Sequence, residues 1–278
     1  MKFGINTLLW TAAFGEEHFP LLERIKAAGF DGVEIARFSF DGFPMAKVRR
    51  ALADSGLECT VCTALSGSQT LLTPSGEAAR EATLKFLREA IDASGELGAP
   101  VLAGPFCSAV GYLPGRRRTE DEWNYCTEGL LSLAPALDAA RVNLAVEPLN
   151  RFETFFLNTA ADAVKLCEAA PHPRIGVLFD TFHSNVEEKS IPAAVATAGK
   201  HILHFHASEN DRGTPGTGHV PWAETFHALR VLGYDDWAVI ESFGSGIPEI
   251  AAATSIWRDL AATPDDIAFE GVKFLKTL

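Results

Sequence analysis

The sequence predicts an α/β protein folded as one (β/α)8 TIM barrel with extra C-terminal helices, and three observations carry that expectation. Its 278 residues fit the roughly 250 of a single closed barrel with a short extension. Eight short apolar runs alternate with amphipathic stretches along the chain, with no linker or low-complexity segment to divide domain 1–278. Several of the runs are continuously apolar, as parallel strands covered on both faces require.

The strand-like runs are Phe3 to Leu9, Gly32 to Ala36, Cys59 to Leu65, Pro100 to Pro105, Val142 to Glu147, Ile175 to Asp180, Ile202 to His206 and Trp237 to Glu241. Helical spacing marks Phe19 to Ala28, where Leu21, Leu22, Ile25 and Ala28 share a face. It recurs near Pro44 to Ser55, Ala78 to Leu97, Glu120 to Ala140, Thr159 to Ala169, Ile191 to Ala198 and Trp222 to Leu232. Gly29, Gly56, Gly98 and Gly233 stand where helix C-caps belong. The tail from Ile247 to Leu278 is expected to be helical, capping the barrel or touching another subunit. Eight repeats favour a closed barrel; a doubly wound open sheet is the competing reading if one run is spurious. That alternative lacks its usual dinucleotide form, because no Gly-x-Gly-x-x-Gly follows the first run.

A composition of 47% hydrophobic and 22% charged residues is that of a globular protein with an ample core. The net charge of −12 makes nucleic acid and anionic membrane poor partners. No apolar stretch approaches the roughly 18 residues of a membrane span. The N-terminus enters a strand-like run at once, without the apolar region of a signal peptide, so a cytoplasmic location is expected. Cys59 and Cys62 have C-x-x-C spacing, but residues three apart on a strand point to opposite faces, and no second pair completes a site. These two, with Cys107, Cys126 and Cys167, are expected to be buried reduced thiols.

Chemistry concentrates in the second half. The last four strand-like runs place Glu147, Asp180, His206 and Glu241 at or just past their C-terminal ends. In a barrel those ends share the rim that carries the active site. A lone acid at a strand end is usually a solvated loop residue or a helix cap. Four on consecutive strands would repel one another unless a cation stood between them. Three carboxylates and one imidazole suit Mn2+, Mg2+ or Co2+ with open positions better than a closed structural zinc site.

The chain resembles the xylose-isomerase-like barrels, and within them the D-tagatose 3-epimerase group that includes D-psicose (allulose) and L-ribulose 3-epimerases. The resemblance spans essentially the whole chain. It is sharpest in Glu147-Pro148-Leu149-Asn150-Arg151-Phe152-Glu153-Thr154 and in Asp180-Thr181-Phe182-His183-Ser184-Asn185-Val186-Glu187-Glu188. Two further parts are His206 through Glu209 to Arg212, and Glu241-Ser242-Phe243. The intervals of 33, 26 and 35 residues between the four strand-end groups are similar to those of the family. The resemblance implies that Glu147, Asp180, His206 and Glu241 hold one divalent ion, usually manganese, in each subunit of a homodimer or homotetramer. It further implies that Glu153, His183 and Arg212 bind substrate hydroxyls and the carbonyl end. Gly216-Thr217-Gly218 is similar to the family's loop after the seventh strand, and no Lys follows it as a phosphate-binding loop would require. Asp211 and Asn6 depart from the family pattern and bear on which sugar fits.

Epimerisation next to a ketone needs one group to remove a proton and another to return it from the opposite face. Glu147 and Glu241 flank the ion and fill these roles, as the resemblance also implies. Trp10, Phe106, Tyr112 and Phe243 near the rim are candidates for an apolar wall, with plain packing an equal reading for each. The expected activity is thus a metal-dependent ketose 3-epimerase working through a cis-enediolate on a small-molecule ketose. The nearest alternative is another sugar reaction on this scaffold, such as hydroxypyruvate isomerisation, aldose–ketose isomerisation or inosose dehydration. An apurinic endonuclease would need histidines at earlier strand ends, and Thr63-Ala64-Leu65-Ser66 and Gly104-Pro105-Phe106-Cys107 contain none. A non-catalytic sugar-binding barrel would not need two flanking glutamates. Arg116-Arg117-Arg118 on the same rim reads as a solvated loop rather than a phosphate site, so free ketoses are expected as substrates.

Overall fold

Strand β1 (Lys2–Asn6) pairs in parallel with both β2 (Gly32–Ala36) and β8 (Trp237–Ile240), and this double pairing closes the sheet. Between them run β3 (Glu58–Cys62), β4 (Val101–Gly104), β5 (Asn143–Val146), β6 (Ile175–Asp180) and β7 (Ile202–His206), in chain order around a closed barrel. The computed structural model describes residues 1–278. A doubly wound sheet is thereby ruled out.

Helices α1 (Phe19–Ala27), α2 (Met45–Ser55), α3 (Ala78–Leu97), α4 (Glu120–Leu131), α5 (Ala134–Ala140) and α6 (Ala160–Ala169) cover the first five strands. They are followed by α7 (Thr181–Glu187), α8 (Ile191–Ala198), α9 (Trp222–Val231), α10 (Pro248–Thr254) and α11 (Pro264–Leu275). Gly56 and Gly98 end α2 and α3 with φ of 63° and 78°, a left-handed turn that costs glycine least.

The outer core, 60 buried residues, fills the space between strands and helices. A smaller cluster of 11 runs from the barrel interior, where Ala36, Cys62, Val101, Ala103, Ala145 and Leu178 lie, to Phe243, Ile250 and Ala251 above its rim. Cys59 belongs to the first cluster and Cys62 to the second, so the two sulfurs do face opposite ways, and all five cysteines are free and buried. Trp237 plugs the barrel floor, and Gly32 leaves room for it: a Cβ there would come within 2.6 Å of the indole ring. No helix is long and apolar enough to cross a membrane.

Four expectations change in detail. The first strand stops at Asn6, because its side chain accepts from the Leu8 amide and turns Thr7–Leu9 into a 3-10 segment. The helix expected over 120–140 is two helices, since Pro135 cannot continue α4 and instead sits in the first turn of α5. Thr181–Glu187 is helical where no helix was expected, started by Asp180 at its N-cap. The tail is not one helical extension. Residues 255–263 are not helical, and α11 packs Ile267, Ala268, Val272 and Leu275 into the core, with Gly271 against Ile240, as the barrel's eighth covering helix.

Candidate active site

The pairing register sets the height of the functional groups. Asp180 and His206 are direct neighbours across β6 and β7, while Glu147 and Glu241 each sit one residue beyond the ends of β5 and β8. All four are buried, and one ligand atom from each lies within 4.8 Å of the others. Asp180 spends Oδ1 on the amides of Phe182 (2.6 Å) and His183 (3.2 Å), which leaves Oδ2 turned to the cluster. His206 Nδ1 stands 3.4 Å from Glu241 Oε1 and 3.6 Å from Asp180 Oδ2.

Two atoms of this cluster, Glu147 Oε1 and His206 Nδ1, are buried without a hydrogen-bond partner. Orphaned buried acceptors are rare and call for an explanation. A cation among them supplies one. Three carboxylates against the single guanidinium of Arg212 leave an excess of two negative charges, which a divalent ion balances. The residues present therefore fit a divalent metal of the hard, oxygen-preferring kind.

The electrostatics show the same frustration. Burial, aggravated by Glu241, pushes the Glu147 carboxyl well above the ordinary carboxylate range. Burial opposes ionisation of Asp180 too, but the Arg212 guanidinium, with Nη1 at 2.8 Å, and the neighbouring imidazoles of His206 and His183 hold it well below that range. His206 is raised despite burial, because the Glu34 and Glu241 carboxylates favour its cation. Burial and Arg212 together lower His183 to about 3, so its imidazole is neutral at physiological pH. The Asn150 amide donates to His183 Nδ1 (3.0 Å), which puts the proton on Nε2. Arg212 Nη2, 3.1 Å away, cannot accept that proton, leaving Nε2–H for an oxygen in the cavity.

Arg212 bridges the site: Nη1 donates to Asp180 Oδ2, Ser208 Oγ (2.8 Å) and Glu241 Oε2 (2.6 Å), while its carbon centre stacks 4.1 Å over Phe182 and 5.0 Å over Phe243. Its backbone is left-handed, φ 66°, a conformation that a non-glycine residue adopts only when held. The loop that holds it is tied by Glu209, whose buried carboxylate accepts from the amides of Gly216 (2.8 Å) and Val220 (3.1 Å) and from Trp222 Nε1 (2.9 Å). The Gly216-Thr217-Gly218 turn thus wraps a carboxylate of its own chain.

A cavity of about 390 Å³ opens above the cluster and is lined by Glu147, Glu153, His183, His206, Arg212, Glu241 and Phe243 among others, a volume suited to a small ligand. Glu153 is held by Asn150 Nδ2 at 2.7 Å. Ile250, Ala253 and Thr254 of α10 and the exposed Phe38 and Phe152 form other parts of the wall, and nothing in the sequence pattern singled them out. Trp10 and Phe106 are not among the lining residues: Trp10 Nε1 donates to Asp265, and Phe106 is fully buried in the outer core. Tyr112 packs edge-on against Phe155, also off the wall. Asp211 pairs with Arg258 (3.1 Å), and Asn6 is sealed inside the barrel, so neither reaches the cavity. Arg116 is engaged by Glu122 (2.7 Å) and Arg118 by Asp162 (3.1 Å) and the Phe156 carbonyl (2.6 Å).

One group in contact with the cluster was not foreseen. Glu34 on β2 is fully buried and touches both His204 and His206. Burial would raise its carboxyl, but the two imidazoles hold it below the ordinary range. A lone acid in an apolar strand carries no spacing signal, and its partners lie about 170 residues on.

Comparison with known proteins places this geometry. Residues 22–278 match the family model described as xylose isomerase-like TIM barrel. The chain is 36% identical over 277 residues to the probable ketose 3-epimerase of Synechocystis sp., covering 99% of this chain and 96% of that one. It is 31% identical to the D-psicose 3-epimerase of Agrobacterium fabrum, over 95% and 93% of the two chains. The crystal structure of D-allulose 3-epimerase from Methylomonas sp. in complex with D-allulose superposes with a TM-score of 0.93 at 27% identity, covering 100% and 96%. The chain belongs to the xylose isomerase-like TIM-barrel family, among relatives named for the 3-epimerisation of ketoses.

Proposed function

We propose that this chain is an isomerase, a divalent-metal-dependent ketose 3-epimerase that acts on free ketohexoses or ketopentoses as one barrel domain. The observation that carries the proposal is the convergence of Glu147, Asp180, His206 and Glu241 within 4.8 Å, with two of their buried atoms unpartnered, beneath a sugar-sized cavity. Manganese is the ion proposed, with Co2+ or Mg2+ as substitutes. Bound there, the ion would supply Lewis-acid stabilisation of the enediolate charge.

The chain's own residues divide the remaining work. Of Glu147 and Glu241, one carboxylate takes the proton at C3 and the other returns a proton from the opposite face. Neutral His183 offers Nε2–H to a substrate oxygen, Arg212 balances charge and orients oxygens, and Glu153 accepts from a hydroxyl. Phe243 forms part of the apolar wall that keeps water out. Free rather than phosphorylated sugars are favoured, because Arg116 and Arg118 are committed to Glu122 and Asp162.

Incubation with Mn2+ and D-fructose, D-tagatose, L-ribulose or D-ribulose 5-phosphate, followed by chromatography, tests this. A C3 epimer of a free ketose is expected; a requirement for the phosphate would overturn that part. The five free thiols suit a reducing, cytoplasmic setting. Exposed Tyr112, Leu113 and Phe152 on the rim loops favour a homodimer or homotetramer, readable by light scattering.

A further inference from the structure

Beneath the site, inside the barrel, lies a sealed polar network that the reaction scheme does not use. Glu34 is its centre. Its Oε1 meets His206 Nε2 at 2.8 Å and receives Asn6 Nδ2 at 3.0 Å; its Oε2 meets His204 Nε2 at 2.7 Å and receives Thr60 Oγ1 at 3.0 Å. Asn6, Glu34, Thr60 and His204 are each 0% exposed. These residues come from β1, β2, β3 and β7, whereas the cluster above comes from the strand ends of the second half.

A carboxylate has only acceptors to offer, so an imidazole that meets it must turn an N–H toward it. Both His204 and His206 present Nε2 to Glu34. For His206 this leaves Nδ1 on the cavity side, and it is Nδ1 that is buried without a partner. The T-shaped stack of the two rings, 5.2 Å apart, opposes rotation of either. An imidazole can bind a metal only through an unprotonated nitrogen, and the partner of the other nitrogen decides which one that is.

We propose that Glu34 is the positioning residue of this site: it fixes the Nε2–H tautomer and ring orientation of His206, so that Nδ1 is delivered to the ion. The first half of the barrel thereby supplies the clamp for a ligand set contributed by the second. This rests on reading the cluster above it as a metal centre.

The test is calorimetric titration of the unsubstituted protein, Glu34→Leu and Glu34→Asp with Mn2+. Leu removes both acceptors; Asp keeps the charge but shortens its reach by one methylene. With far-UV circular dichroism unchanged, both variants should bind Mn2+ about 10- to 100-fold more weakly. Long-range 1H–15N spectra of the Mg2+-loaded protein should show His206 protonated at Nε2, and Glu34→Leu should populate the Nδ1–H form. Should Glu34→Leu not fold, Glu34→Asp alone decides. Parent-like Mn2+ affinity in a folded variant, or Nδ1 protonation of His206 in the loaded parent, would overturn the assignment. If the unsubstituted protein binds no Mn2+, the metal reading itself falls, which is a different result.

Discussion

Glu147 and Asp180 occupy one buried cluster, yet their carboxyls are driven in opposite directions. Asp180 has the Arg212 guanidinium at 2.8 Å and stays ionised; Glu147 has no such contact and is held toward its neutral form by burial and by Glu241. A divalent ion among them would lower Glu147 back into the range where it can serve as a base. Glu147→Gln or Glu241→Gln keeps shape but cannot accept a proton. Each should lower kcat by about 10²- to 10⁴-fold while circular dichroism stays native. Near-normal turnover in either variant would remove that residue from proton transfer. Arg212→Lys should also fall in kcat/KM, because a point charge cannot span Asp180, Ser208 and Glu241 as the planar fork does. Steady-state kinetics at saturating Mn2+ read that loss. The four strand-end groups were legible because their residue types recur at the same place in successive strand units. Glu34 was not, since Gly32–Ala36 reads as an ordinary buried strand. A charged side chain inside a barrel strand must be paired, and that rule points to His204 and His206, which share one face of β7.

Element boundaries follow from local chemistry that the sequence displays unevenly. The α3 span of Ala78–Leu97 is readable from its periodicity and from Gly98 alone. The break between α4 and α5 needed weight on Pro135, and α7 is too short for periodicity to announce it. At the start of α4, Thr119 and Glu122 form a reciprocal capping box, with Glu122 further held by Arg116 at 2.7 Å. The Arg116 hydrogen bond, with the Thr119 amide, holds the Glu122 carboxyl below its ordinary value. A carboxyl lowered on folding stabilises above its unfolded pKa of about 4.3, and that contribution is lost as pH falls through the folded value. Glu122→Gln, which keeps the capping-box geometry and gives up the charge, should therefore cost about 0.5 kcal/mol at pH 7. The difference from the parent should be smaller in acid, below the folded pKa of Glu122, than at pH 7, as followed by urea denaturation. An equal penalty at both pH values would mean that packing, not charge, is at stake.

Across the whole molecule, the closed parallel barrel was legible from the eight repeats, and the role of its tail was not. The eighth covering helix is α11, separated from β8 by α10 and by residues 255–263, so simple strand–helix alternation does not reveal it. The excursion has a use, since α10 brings Ile250, Ala253 and Thr254 to the cavity wall. Because the proposed ion ties together the ends of four strands, its binding should stabilise the folded chain as a unit. Mn2+ at about 100 times its Kd should add about 2.7 kcal/mol. For a chain of this size that corresponds to a Tm rise of roughly 5 °C, reversed by a chelator. No shift in differential scanning fluorimetry would argue against a preformed metal site.

The central claim is that this cluster exchanges the proton at C3 of a ketose. Incubating the Mn2+-loaded protein with D-tagatose or D-fructose in D2O and following the sugar by NMR tests it most directly. Deuterium at C3 of a product inverted at that carbon is the predicted result. Deuterium at C1 or C2 with an aldose product, or no exchange at C3 with any ketose supplied, would contradict it.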